Sequence, residues 1–170
     1  MIKRTMAIIV VSILSLLATF PVYAQSSTYV TLPIFPSIEA AMEASAEGVL
    51  GGPRARAGSN VLGGFLIRDG NSERVQVYLS WSGTKLISAW RFNSATIDNG
   101  SLLRPTVFGT LGQTIRNITA STKGSVHFGN VNIPVSETHG RIRFSNLQGY
   151  SMLNARWENA LITGITARIN

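Results

Sequence analysis

Apolar and polar side chains alternate most regularly along residues 74–92. Apolar residues occupy every second position from Val75 to Trp81, with polar or amphipathic residues between them. A period of two gives a β-strand one apolar and one polar face. Ser82-Gly83-Thr84 interrupts the alternation, which then resumes up to Phe92, and glycine suits a tight reversal. The segment therefore predicts a β-hairpin laid over a core.

The rest of residues 61–170 consists of further short apolar runs separated by turn residues. Asp69-Gly70-Asn71-Ser72 and Asp98-Asn99-Gly100-Ser101 are strong reversal signals. Gly63-Gly64 indicates a bulge or the close approach of another backbone, and Gly129-Asn130 indicates a bulge. Beyond residue 92, strands are predicted over 102–108, 111–119, 125–135, 141–144, 150–157 and 160–169, with breaks near 121–124, 148–149 and 158–159.

About nine strands at spacings of roughly 8–12 residues are typical of a sandwich or a small barrel. The predicted fold class is mainly β, an antiparallel β-sandwich or small barrel with one short N-terminal α-helix. The sheet is expected to occupy residues 61–170.

An extended segment and a helix are expected before this sheet. Residues 25–36 alternate like a strand, but Pro33 disfavours a central position, which predicts an edge strand or an arm reaching a neighbouring subunit. Ser37 suits a helix N-cap and Gly48 a helix end, so a helix is expected over 37–48. The helix stripe expected to pack on the sheet consists of Ile38, Met42, Ala46 and Val49.

The first residues have the pattern of a secretory signal peptide. Lys3 and Arg4 precede an apolar run, and Val22-Tyr23-Ala24 ends in a residue suited to cleavage. Residues 1–24 are therefore predicted to be a signal peptide and residues 25–170 a single β-rich domain, exported to the periplasm or the extracellular space. The chain has no cysteine, so its core must form without disulfides, which favours a bacterial source.

The sequence offers little catalytic chemistry. There is no cysteine nucleophile and no G-x-S-x-G elbow. His127, Glu137 and His139 are of the residue types that bind zinc, but 137–140 is turn-compatible, so neither a metal nor a cofactor is expected. The carboxylates available for hydrolysis are all predicted at or near turns: Asp69, Glu73, Asp98, Glu137 and Glu158. No catalytic residue is predicted, and the sequence favours a protein that is not an enzyme.

The basic residues are more informative, because the formal net charge is +7. Arg141 and Arg143 share one strand face, and the two following strands carry further arginines. If those strands pair, a patch that binds carboxylate, sulfate or phosphate is predicted. The candidate residues are Arg141, Arg143, Arg156 and Arg168 with Tyr150 beside them, together with Arg54 and Arg56 in a Gly-rich loop over 49–60.

Four aromatic residues divide between surface and core in this prediction. Tyr78 and Trp90 are candidates for stacking on a sugar ring, whereas Trp81 and Trp157 are assigned to the core. The expected partner is an anionic polysaccharide, lipopolysaccharide, anionic lipid or a protein of the cell envelope. Neither nucleic acid nor membrane insertion is expected.

The function predicted from these observations is that of an exported, non-catalytic β-domain that binds an envelope or extracellular partner. Three alternatives remain open from the sequence. They are a small outer-membrane or pore-type β-barrel, a self-assembling surface subunit that uses the 25–35 arm, and a small secreted hydrolase.

Overall fold

The structure is a computed structural model that describes residues 30–46, 60–163 and 166–169. The predicted signal peptide and most of the Gly-rich loop lie outside these residues. The described chain is mainly β with one short helix, as predicted. The elements are β1 (Val30–Phe35), α1 (Ile38–Ala46), β2 (Asn60–Arg68), β3 (Arg74–Phe92), β4 (Ser94–Asp98), β5 (Val107–Leu111), β6 (Thr114–Asn132), β7 (His139–Ser145), β8 (Gln148–Ser151), β9 (Arg156–Thr163) and β10 (Thr166–Ile169).

The strands are hydrogen-bonded in the order β5-β4-β7-β1-β2-β10-β9-β8-β3-β6, with β2 also paired to β3. The first four of these strands form a layer that packs over the rest. A Cβ built on Gly109 of β5 would lie 3.0 Å from a methyl group of Val131 in β6. The two terminal strands of this order, β5 and β6, thus contact each other through side chains and not through backbone hydrogen bonds. The sheet is therefore sandwich-like and not closed into a barrel.

The core lies between these layers and is built from the inward positions of alternating strands. Phe92 of β3 packs edge-on against Phe128 of β6, with ring centroids 4.8 Å apart, and its centroid lies 5.3 Å from that of Phe144 in β7. Three isoleucines are almost completely buried in the same cluster: Ile97 of β4, Ile142 of β7 and Ile133, which directly follows β6. Burial of this many large apolar side chains supplies the main favourable term for folding.

The predicted hairpin within residues 74–92 is wrong, because β3 is a single bent strand of 19 residues. Its ladder with β6 shifts register between Ser82 and Ile87. The rings of Trp81 and Trp90 lie only 5.6 Å apart, although nine residues of straight strand would separate them by roughly 30 Å. The polar interruption therefore marks a bend that lets one strand pair first with β2 and then with β8.

Asn60 explains why the chain bends here without reversing. Its side-chain amide accepts a hydrogen bond from the backbone N–H of Lys85 at 2.9 Å and donates one to the Lys85 carbonyl at 2.8 Å. The fully buried Asn60 thus replaces a neighbouring strand exactly where β6 has lost register. No local pattern in residues 82–87 could have indicated this, because the partner lies 25 positions away.

Strand β1 lies inside the sheet, between β7 and β2. The expectation that residues 25–36 form an edge strand or an arm is therefore wrong for the described residues 30–35. Residues 30–33 pair antiparallel with β7, and Ile34 and Phe35 pair parallel with β2. Pro33, which has no N–H to donate, stands where the pairing changes from one neighbour to the other, and this makes proline tolerable there. The strand thereby joins the two layers within one chain.

The helix has the predicted cap but a different buried face. The hydroxyl of Ser37 accepts a hydrogen bond from the N–H of Ala40 at 3.2 Å, as an N-cap does. Ala41 is the fully buried residue and packs with Phe65, whereas Ile38 and Met42 of the expected stripe are exposed. A small alanine side chain lets the helix approach the sheet closely, which the spacing of larger apolar residues did not reveal. Val49 lies outside the described residues.

The reversals predicted at residues 69–72 and 98–101 are confirmed. Residues 69–72 connect β2 to β3, with Gly70 at φ 55°, and the loop after Asp98 connects β4 to β5. The close approach expected at Gly63-Gly64 is confirmed, because a Cβ on Gly64 would lie 2.8 Å from the carbonyl oxygen of Tyr78. The bulge expected near Gly129 is also present, as a register shift against Val77 and Tyr78.

The expected breaks within the later strands were wrong. Strand β6 runs through residues 121–124, β8 begins at Gln148, and β9 passes through Glu158. The interruptions in this part of the described chain lie at residues 146–147, two positions before the break expected at 148–149, and at a turn over 152–155, where Ala155 has φ 48°. Polar residues at 121–124 continue the strand because β3 supplies ladder partners there, among them Ser82 opposite Lys123.

Candidate functional site

The hairpin of β8 and β9 forms the centre of the candidate site. Across this hairpin Gln148 lies opposite Asn159, and Tyr150 lies opposite Trp157. Directly opposed residues project from the same side of a sheet. Strand β3 pairs along the other side of β8, where Arg91 lies opposite Gln148. We call these five residues, Arg91, Gln148, Tyr150, Trp157 and Asn159, the aromatic face.

Direct contacts connect all five side chains of the aromatic face. The guanidinium carbon of Arg91 lies 4.2 Å from the centroid of the Trp157 ring, a cation–π contact. The Nε of Arg91 donates to Oε1 of Gln148 at 2.7 Å, and Nε2 of Gln148 donates to Oδ1 of Asn159 at 2.6 Å. Tyr150 meets Trp157 at a ring distance of 5.4 Å and an angle of 75°. The face is therefore ordered before any ligand binds.

Several hydrogen-bonding groups of this face have no protein partner within the described chain. They are the terminal guanidinium nitrogens of Arg91, the hydroxyl of Tyr150, the indole N–H of Trp157 and the side-chain NH₂ of Asn159. Arg91 also forms no ion pair with any described carboxylate. A cation, two aromatic rings and free donors thus share a surface on which no acid competes for the guanidinium.

The opposite side of the same strands is a buried polar cluster. Lys85 of β3 and Glu158 of β9 form an ion pair with an Nζ–Oε2 distance of 2.6 Å, and their side chains are 7% and 5% exposed. Asn154 in the turn donates to the other carboxylate oxygen of Glu158. Arg156 lies 3.6 Å from that oxygen, but its side chain is 72% exposed. We call the buried residues Asn60, Lys85 and Glu158 the buried cluster; Asn154, which donates to Glu158, lies in the exposed turn.

Glu158 is a charged structural group and not a poised acid. Burial raises its pKa, but the hydrogen bonds from Lys85 and Asn154 and the positive charges of Lys85 and Arg156 lower it more, so that the pKa lies below its ordinary value. A general acid at neutral pH needs a raised pKa. Both carboxylate oxygens are already engaged, which leaves the cluster a role in holding β3 and β9 together.

The predicted arginine patch depended on the pairing of three strands, and the described structure contains that pairing only in part: β9, which carries Arg156, pairs with β10, which carries Arg168, but β7 pairs with neither. Strand β7, which carries Arg141 and Arg143, pairs with β1 and β4, whereas β9, which carries Arg156, pairs with β8 and β10. Arg141 is bound to the buried Asp98 through two hydrogen bonds, of 2.8 and 3.2 Å. Whether any of these arginines binds a ligand stays a prediction.

The other residues of that prediction fall in three places. Tyr150 lies on the aromatic face, whereas Arg156 projects from the opposite side of the hairpin towards Glu158. Arg168 lies in β10, but its side-chain surroundings are not described. Arg54 and Arg56 lie outside the described residues.

The assignment of aromatic residues to surface and core is confirmed for Trp81 and wrong for Trp90 and Trp157. Trp81 is buried, as expected, but Trp90 is completely buried and offers no platform. Tyr78 is half-buried, stacked on Phe65 at a ring distance of 5.1 Å. Trp157, assigned to the core, is instead half-buried on the aromatic face, because the hairpin turn lies at 152–155 and not at 158–159.

The residues considered for metal binding or hydrolysis do not assemble into a site. Among the residues that the structure describes, no three His, Cys, Asp or Glu side chains lie close enough to hold a metal ion. Asp98 is paired with Arg141 and Glu158 with Lys85. Glu158 lies buried within a strand, contrary to the expectation that it stands at a turn.

Sequence reasoning missed four of the five residues of the aromatic face: Arg91, Gln148, Trp157 and Asn159. A signal was available for three of them. Gln148 and Tyr150 are two positions apart, as are Trp157 and Asn159, and the intervening stretch suits a turn, so the four residues would share one face of a hairpin. Nothing in the sequence indicates that Arg91 lies beside them.

Comparisons with protein-family models, curated proteins and solved structures gave no match for this chain. None of the helical residues described here forms a segment long and apolar enough to cross a membrane. The function must therefore be inferred from the aromatic face itself.

Proposed function

We propose that this chain is an exported, non-catalytic β-domain that binds an anionic polysaccharide of the cell envelope or its surroundings on the aromatic face. The observation that carries the proposal is the Arg91 guanidinium stacked 4.2 Å from the Trp157 ring centroid, with no hydrogen bond from its terminal nitrogens to any described residue. Export rests on the signal-peptide pattern of residues 1–24.

The chemistry of a uronic-acid or sulfated sugar matches these groups one by one. Aromatic rings offer a large apolar surface at small entropic cost and can pack on the C–H face of a sugar ring. The planar guanidinium of Arg91 suits a two-point contact with a carboxylate or sulfate. The free donors of Tyr150, Trp157 and Asn159 suit sugar oxygens.

Prior ordering of the face supports binding without a costly rearrangement. Arg91 is held by Gln148, and Gln148 in turn by Asn159, so little side-chain freedom remains to be lost when a ligand binds. Two of the three strands that carry the face, β3 and β9, are also joined behind it by the hydrogen bond from Lys85 to Glu158. A rigid support of this kind favours recognition over turnover, for which no acid or base is positioned on the face.

The proposal is tested by titrating the purified mature chain with polygalacturonate, and with uncharged dextran for comparison, in a calorimeter. The wild type is expected to bind the acidic polymer and not dextran. Arg91→Gln should weaken binding by roughly ten- to a hundredfold, because a hydrogen bond to a charged group contributes about 1.5–3 kcal/mol. Trp157→Ala should weaken binding to a similar extent.

Arg74→Gln is the matched control, because Arg74 is an exposed arginine at the other end of the same strand. It removes the same charge and should change the affinity less than twofold. If Arg74→Gln and Arg91→Gln weakened the affinity for polygalacturonate equally, binding would depend only on net charge, and this would contradict a defined site. Unchanged binding by Trp157→Ala would exclude the aromatic face as the site.

A further inference from the structure

The loop between β4 and β5, residues 99–106, presents two leucines almost completely to solvent. Leu102 is 87% exposed and Leu103 is 94% exposed, more than any other large apolar residue of the described chain. Val107, the first residue of β5, is 60% exposed. Single exposed apolar residues are ordinary, but an adjacent pair at this level of exposure, followed by a third nearby, is typical of a contact surface.

The loop is held in shape although its leucines contact almost nothing. The side-chain oxygen of Asn99 accepts hydrogen bonds from the N–H groups of Ser101 at 3.1 Å and Thr106 at 3.0 Å, and its NH₂ donates to the carbonyl of Arg104 at 3.3 Å. The N–H of Arg104 donates to the hydroxyl of Ser101 at 3.0 Å. Asn99 thus closes the base of the loop, and the two leucines form its tip.

The charges around the tip are positive. Arg104 directly follows the leucines and is exposed, and residues 99–106 contain no acid. The neighbouring Asp98 is 4% exposed, and its carboxylate is occupied by Arg141 and by the N–H of Gly100. The loop therefore combines an apolar tip with a cation and no compensating negative charge.

We infer that this loop docks on an anionic lipid surface, with Leu102 and Leu103 entering the interface and Arg104 contacting the lipid head groups. A convex tip needs a partner that admits it without a matching cavity, and a bilayer interface does so. Anionic head groups attract a basic residue held beside an apolar anchor. The contact is superficial and involves no segment that spans the membrane. It is independent of the glycan proposal, because β8 and β9 do not take part.

Co-sedimentation of the full mature chain with vesicles tests this inference. The chain is expected to pellet with phosphatidylcholine vesicles that contain phosphatidylglycerol, and less with phosphatidylcholine alone. The double variant Leu102→Ser, Leu103→Ser should lose roughly tenfold in partitioning for each leucine. Arg104→Gln should lose about fivefold on the anionic vesicles and little on the neutral ones.

Leu153→Ser is the matched control, since Leu153 is an 80% exposed leucine in the β8–β9 turn. It should partition as the wild type does, as should Trp157→Ala, which separates this test from that of the glycan site. Far-ultraviolet circular dichroism should be the same for all variants, because the substituted leucines pack against almost nothing. No sedimentation of the wild type, or equal sedimentation of the double variant, would overturn the inference. A wild type that self-associates through these leucines in gel filtration, without binding vesicles, would overturn it in favour of a second copy.

Discussion

The aromatic face and the buried cluster lie on opposite sides of the same three strands and use similar chemistry to different ends. Each contains a cation held by neighbouring side chains. In the buried cluster Lys85 meets a carboxylate at 2.6 Å and little of it reaches solvent. On the aromatic face Arg91 contacts an indole ring, and its terminal nitrogens form no hydrogen bond with the part of the chain that the structure describes.

Alternation separates the two sides along β9, where Glu158 lies between Trp157 and Asn159, whereas in β3 the register shift between Ile87 and Ala89 places Lys85 and Arg91 on opposite sides. A buried cation must be neutralised by a nearby charge, because an uncompensated charge in the interior is very costly. A cation at the surface can remain without a carboxylate partner, because water solvates it until a ligand arrives. Substitutions in the buried cluster should therefore lower the free energy of unfolding, whereas substitutions on the aromatic face should mainly weaken ligand binding.

Breaking the ion pair should cost the most. Glu158→Gln leaves the Lys85 ammonium buried without a counter-charge and should lower the free energy of unfolding by roughly 3–5 kcal/mol. Urea denaturation followed by circular dichroism measures the change. Lys85→Met combined with Glu158→Leu should recover much of the loss, because neither charge is then buried. If Glu158→Gln lowered the free energy of unfolding by less than about 1 kcal/mol, the Lys85–Glu158 pair would be hydrated and not part of the interior.

Removing the brace at the bend of β3 should cost somewhat less. Asn60→Ala leaves the N–H and the carbonyl of Lys85 unpaired in the interior, and should lower the free energy of unfolding by roughly 2–4 kcal/mol. Asn60→Asp retains an acceptor for the N–H but loses the donor for the carbonyl. If Asn60→Ala and the exposed-site variant Arg74→Gln had the same stability, the explanation of the bend would be wrong.

Acid should weaken the buried cluster before it affects the aromatic face. The pKa of Glu158 is lowered on folding from its ordinary value of 4.5. The stabilisation from this shift is present above pH 4.5 and is lost as the pH falls through the lower, folded-state pKa. Measured from pH 7 to pH 3, the unfolding free energy of the wild type should fall more steeply than that of Glu158→Gln. Parallel curves would show that other carboxylates dominate the acid response.

Substitutions on the aromatic face should change stability the least. Arg91→Gln removes a half-buried cation–π contact at the surface, worth about 0.5–1 kcal/mol. Arg91→Lys keeps the charge but cannot make the same two-point contact with a carboxylate, so glycan binding should still weaken while stability changes little. Thermal unfolding measures the change in stability, and calorimetric titration of the same samples measures the change in glycan affinity. A stability loss above about 2 kcal/mol would make the face structural.

The sequence identified several local features because their causes are local. A reversal at residues 69–72 follows from the residues that occupy it, and so does the N-cap at Ser37. The break expected at Ser82-Gly83-Thr84 was located correctly but interpreted wrongly, since a polar interruption looks the same whether a strand reverses or bends. The two outcomes differ only in the partner, which here is Asn60.

The candidate site was harder to predict than these local features, because it too depends on partners that lie far apart in the chain. The proposed arginine patch assumed that strands adjacent in sequence are adjacent in the sheet, and β7 is not paired with β8. Tyr150 was identified, but its partners Trp157 and Arg91 depend on the position of one turn and on the return of β3 along the other side of β8.

By itself, then, the sequence determined that this chain is mainly β, that it has one short capped helix and that tight reversals fall at residues 69–72 and after Asp98. Each of these follows from the backbone preferences of neighbouring residues and from the two-residue period of a strand. The tertiary structure decided which strands are neighbours, where β3 bends, and which cation is buried beside a carboxylate and which lies exposed on an indole ring. Those outcomes depend on contacts between residues far apart in the chain, and alternation records the side on which a residue lies but not what it meets there.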